Sequence, residues 1–94
     1  MSQFNAYAPP MLWGDWQEIA SHIGSVTYDI SYSPVGSTLV TAEVRYFSGE
    51  GGGTQVIEPF VDQVTITTAN CVANVEVHFK GTPTGSAVTG SINP

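Results

Sequence analysis

Basic side chains are almost missing from this chain: Arg45 and Lys80 stand alone against eight acids, for a formal net charge of −6. A nucleic-acid backbone is held by Lys and Arg that displace counterions from phosphates, so a chain this acidic repels that polyanion. Nucleic acid and anionic membrane surfaces are set aside as partners. Charge of either sign is scarce, at 11% of residues against roughly 25% in an ordinary soluble domain. Solubility then rests on Ser, Thr, Asn and Gly, a surface common in virion parts, adhesins and lectins. Cysteine occurs once, at Cys71, which leaves no internal disulfide framework. No apolar run approaches the roughly 20 residues that cross a bilayer, and the opening Met-Ser-Gln-Phe lacks the basic and apolar regions of a secretory leader. The expectation is a soluble chain, cytoplasmic by default or reaching a virion or the extracellular space by another route, with no membrane insertion.

Material for chemistry is equally thin. Zinc needs closely spaced His or Cys, calcium needs several converging carboxylates, and neither spacing occurs. No metal, cofactor or catalytic residue is assigned, and the expectation is a protein that is not an enzyme. Cys71 and His78 form a conceivable nucleophile pair, but no motif orients them, and Cys71 reads more simply as filling a small apolar space. His78 reads as a solvated strand residue and His22 as a partly buried packing residue. The glycine-rich stretch from Ser48 to Thr54 lacks the lysine of a phosphate-cradling loop and carries Glu50 instead, so it reads as a surface loop.

What the chain does have is alternation. Successive side chains of a strand point to opposite faces, so an apolar residue at every second position marks one buried and one wet side. Val64 and Ile66, then Val75, Val77 and Phe79, show this between Val64 and Lys80, and the two runs read as a central hairpin, or as adjacent strands in two different sheets. Val26, Tyr28, Ile30 and Tyr32 mark a strand over 25–32, and Val40, Ala42, Val44 and Tyr46 mark one over 38–47. A Pro-Gly turn between them suggests a second hairpin. Leu39 and Phe47 fall on the polar side, which suggests that the ends of that strand are covered on both faces. Residues 55–61 read as a strand that Pro59 assigns to an edge or a bulge, and 86–92 as a final strand. About six strands with turn signals imply a mainly β fold, a small antiparallel β-sandwich or barrel.

Two segments break the alternation. Asp15 to Ile23 predicts one short N-terminal helix: Asp15 and Glu18 stand in a capping-box relation, Trp16, Ile19, Ala20 and Ile23 share a helical face, and Gly24 is placed to end it in a left-handed conformation. Residues 1–13, with Pro9-Pro10 and several large apolar groups, read as an extended arm on a β-rich body of 14–94, the whole forming a single domain of residues 1–94. The arm packs either across its own body or onto a neighbouring subunit.

Scarce charge, an apolar arm and no lysine to protect sheet edges lead to a β-sandwich that self-associates as a homo-oligomer and binds another protein or assembly. The alternative is a carbohydrate-binding, lectin-like module. In it Trp13 and Trp16 would stack on a sugar ring, with Asp15, Glu50 and Thr54 as the other candidate ligand contacts. A small secreted toxin or inhibitor is a third reading. Against the glycan reading stands a structural one, in which both tryptophans lock the amino-terminal segment onto the sheet.

Overall fold

The computed structural model describes residues 2–48, 53–68 and 71–94, with the side chains of residues 48 and 71–73 outside that description. Eight strands follow one another: β1 (Ser2–Ala8), β2 (Gln17–Gly24), β3 (Thr27–Pro34), β4 (Leu39–Ser48), β5 (Gly53–Phe60), β6 (Gln63–Thr67), β7 (Cys71–Thr82) and β8 (Ser86–Asn93). They form two four-stranded sheets, ordered β1-β8-β3-β6 and β2-β7-β4-β5, in which every neighbouring pair is antiparallel. Only the connection from β4 to β5 stays within one sheet. Every other connection crosses the sandwich, the winding of an eight-stranded jelly roll.

The expected β-sandwich is therefore present, with eight strands in place of six and no helix among the described residues. The period-two faces fall where the alternation puts them. Tyr28, Ile30 and Tyr32 from β3 and Ile66 from β6 meet Val40, Ala42 and Val44 from β4 and Val75, Val77 and Phe79 from β7, all nearly inaccessible to solvent. Phe79 is at the centre, its ring 5.0 Å from Tyr32 edge-on and 6.1 Å from Phe4 in a stacked orientation.

Neither hairpin forms, and between Val64 and Lys80 the alternative holds, with the two strands in different sheets. β6 pairs with β3, while β7 lies between β2 and β4 in the other sheet. β3 and β4 likewise belong to opposite sheets. Alternation shows which side of a strand is buried, and two strands facing one core from opposite sheets carry the same pattern as two neighbours. The suggestion that Leu39 and Phe47 are covered is also corrected: they are 53% and 55% exposed. Pro59 does lie on an edge strand, β5, where the register with β4 slips between Ala42 and Val44.

The expected helix over 15–23 is replaced by β2, paired along β7. Its apolar spacing has a different cause. The register slips between Glu18 and Ala20, so Ile19 is an extra residue, and the consecutive pair Ile19 and Ala20 both pack against the core. A bulge thus reproduces the adjacent apolar pair of a helical stripe. Ile23, the end of that stripe, is 84% exposed. Two isolated turns of helix are marginal in water, whereas β7 gives the segment from Gln17 to Gly24 a partner for the backbone groups that face it. Gly24 nonetheless adopts the expected left-handed conformation, at φ 97°.

The segment read as an arm is part of the sandwich. β1 pairs with β8 over seven residues without a slip, and Phe4 and Ala8 are buried. Phe4 lies opposite Gly90 in that register, and its ring fills the place where a Cβ on Gly90 would stand. Gly90→Ala is expected to cost about 1–3 kcal/mol by overpacking. Combined with Phe4→Leu the cost is expected to fall below the sum of the two single changes, because the smaller side chain vacates the contested space. A double-mutant cycle in urea measures this, and strict additivity would contradict the contact.

Candidate functional site

Between β1 and β2 the chain leaves the first sheet and runs as a strap alongside the end of β7 that β2 leaves unpaired. Backbone bonds hold it along β7: Met11 N–H donates to Gly81 O at 2.7 Å, Gly81 N–H to Pro9 O at 2.9 Å and Gly14 N–H to Phe79 O at 2.9 Å. Glu76, His78 and Lys80 alternate on the outward side of β7, where the strap's tryptophan side chains reach His78. Trp13 lies 4.4 Å from the His78 ring at an interplanar angle of 10°, and Trp16 lies 3.6 Å from it at 12°. Two indoles so close and so nearly parallel to one imidazole can only occupy its opposite faces. The stack continues at both ends, with the Arg45 guanidinium 4.2 Å over Trp16 and the Lys80 ammonium 4.8 Å over Trp13.

His78, expected to be solvated, is 7% exposed. Its two nitrogens face acceptors: Nδ1 is 3.2 Å from Gly14 O and Nε2 is 2.7 Å from Glu43 Oε1. Arg45 Nε donates to Glu76 Oε1 at 2.8 Å, so the guanidinium serves a carboxylate and an indole at once. Every basic side chain of the protein is spent in this one array.

The candidate residues separate as follows. Trp13 and Trp16 come together through His78, both half-buried, and Asp15 between them is exposed in the strap. Thr54 is exposed on β5 opposite Phe47, two strands away from β7 and roughly 10 Å across the sheet from it. Thr54 is thus not part of the tryptophan cluster. Glu50 lies outside the described residues. Cys71 and His78 stand seven residues apart on β7, about 23 Å at strand rise, so they do not form a catalytic pair.

No family model matches the chain, and no curated protein matches it. Among the described residues no three His, Cys, Asp or Glu converge as metal ligands, and no helix is long and apolar enough to cross a membrane.

A second polar cluster escaped the sequence reading. His22, half-buried on β2, reaches Tyr28 OH through Nδ1 at 2.8 Å and Thr68 Oγ1 through Nε2 at 2.8 Å. One tautomer satisfies every member: Tyr28 O–H donates to Nδ1, Nε2–H donates to Thr68 Oγ1, and the Thr68 hydroxyl donates to Val26 O. The order hydroxyl, imidazole, hydroxyl resembles a nucleophile with its base, but Thr68 is 1% exposed, out of reach of a substrate. The cluster fixes the crossing between the sheets. No local sequence signal foretells it, since His22 and Thr68 are 46 residues apart.

Burial raises the Tyr28 phenol above its ordinary value of 10.0. It does the same at Tyr32, where the Asp62 carboxylate adds to the rise and a backbone bond to Asp62 opposes it. The folded chain holds these protons more tightly than the unfolded one, so this contribution is intact below about pH 10 and is lost as pH climbs through the raised values. Alkaline unfolding measured by circular dichroism is expected to steepen above pH 10, and Tyr32→Phe to flatten that limb. The same substitution costs about 1 kcal/mol at neutral pH, because Tyr32 OH donates to Val40 O at 2.6 Å. An unchanged alkaline limb in Tyr32→Phe would contradict the assignment.

On the outer face of the first sheet the side chains are mostly hydroxyls and amides, with the Asp29 carboxylate among them. Thr27 meets Thr67 at 2.9 Å, Ser31 meets Ser91 at 3.1 Å, and Thr65 donates to Asp29 at 2.7 Å. Two open depressions of about 320 and 520 Å³ lie on this face, the first between Gln3, Asn5, Ser33 and Thr89 and the second between Asp29, Gln63 and Thr65. Neither is lined by a tryptophan or a histidine.

Proposed function

We propose that this chain is a non-enzymatic β-sandwich that works by association, with copies of itself and with another protein or assembly. The observation that carries the reading is where its two cations lie. Arg45 and Lys80 are on β4 and β7, the inner strands of one sheet, and both are engaged with indoles. All four edge strands, β1, β6, β2 and β5, are left without the lysines that commonly keep an open ladder from pairing with another chain. Ile23, Val56 and Tyr7 add exposed apolar surface on three of those edges.

The glycan reading of Trp13 and Trp16 is not favoured. A sugar needs a free indole surface, and here each indole already carries His78 and a cation. Tryptophan emission titrated with a glycan panel is expected to stay unchanged. Light scattering over a dilution series is expected to give an oligomer that dissociates reversibly. A strict monomer at every concentration would overturn the self-association reading.

A further inference from the structure

We infer that the copies pair through β1, antiparallel and edge to edge, so that two four-stranded sheets join into one of eight strands. The inference rests on the association reading above and names the edge. Three of the four edges carry their own obstacles. β5 has Glu58, Pro59 and a register slip. β2 has Glu18 and a slip. β6 is five residues long, follows Asp62 and lies beside Asp29. β1 is seven residues long, regular in register, and free of charge and proline. Its neighbour β8 is also uncharged. In a molecule of net charge −6, this is the edge at which two copies meet without bringing acids together.

One side chain marks the open ladder. Gln17 Nε2 donates to Asn5 O at 2.9 Å, a main-chain acceptor on β1. Peptide groups along an antiparallel strand alternate in direction, so Gln3 and Asn5 present theirs away from β8. The Gln17 amide stands where the N–H of a further strand would stand. It is a plug that an incoming strand displaces, after which Gln3 and Asn5 exchange main-chain bonds with Asn5 and Gln3 of the second copy. Beyond them Gly14 of the strap lies against Tyr7 O, which confines the pairing to the first half of β1.

Sedimentation equilibrium of the full chain tests this with variants that move in opposite directions. Asn5→Lys and Gln3→Lys, both at exposed positions, are each expected to weaken the dimer at least tenfold. Each also raises the net charge from −6 to −5, so relief of general repulsion alone would strengthen association. Gln17→Ala is expected to tighten the dimer severalfold by removing the plug. Ser21→Lys on β2 and Glu58→Lys on β5 are expected to leave it within twofold. A dimer lost in Ser21→Lys or Glu58→Lys but kept in both β1 variants would overturn the β1 assignment and leave the association reading standing. A wild-type chain that is monomeric throughout would overturn both.

Discussion

Replacing His78 with alanine is expected to unfasten the strap and cost about 2–4 kcal/mol. Two ring stackings at roughly 0.5–1.5 kcal/mol each and a hydrogen bond to a carboxylate at roughly 1.5–3 kcal/mol are lost together, and their sharing of one ring makes the total less than the sum. The chain's only two tryptophans are the ones stacked on His78, so their emission reports the strap alone. It is expected to shift to the red in His78→Ala as both indoles become hydrated. In His78→Phe the stack is kept and only the bonds to Gly14 and Glu43 are lost, and a smaller shift is expected. Emission unchanged in His78→Ala would contradict the fastening role.

Phe79→Ala is expected to have the largest effect on stability, about 3–5 kcal/mol. The side chain is 1% exposed and touches rings from two other strands, Phe4 and Tyr32. A domain of this kind has a total stability of roughly 5–15 kcal/mol, so the variant is expected to unfold at a much lower urea concentration. Loss below 2 kcal/mol would mean that the core repacks, against the arrangement described.

The faces of the strands were legible in the sequence because alternation is local. Tyr28, Ile30 and Tyr32 point inward as their spacing requires, and Pro59 lies on an edge because it cannot donate to a ladder. The partition into sheets was not legible, since Val64 and Ile66 of β6 face the same core as Val75 and Val77 of β7 from the opposite side. The helix was misread because a bulge at Ile19 mimics helical spacing. The burial of His78 depends on a strap whose Gly14 is 64 residues away in sequence. The pairing of Trp13 with Trp16 was visible, but the ring between them belongs to a strand that no local pattern connects to it.

Amide hydrogen exchange measured at low and high protein concentration tests the central claim, that the working surface is an open sheet edge and the tryptophan stack a fastener. Concentration-dependent protection is predicted at the amides of Gln3 and Asn5, with those of residues 11–16 unaffected. Protection gained in the strap, or none anywhere as concentration rises, would contradict it.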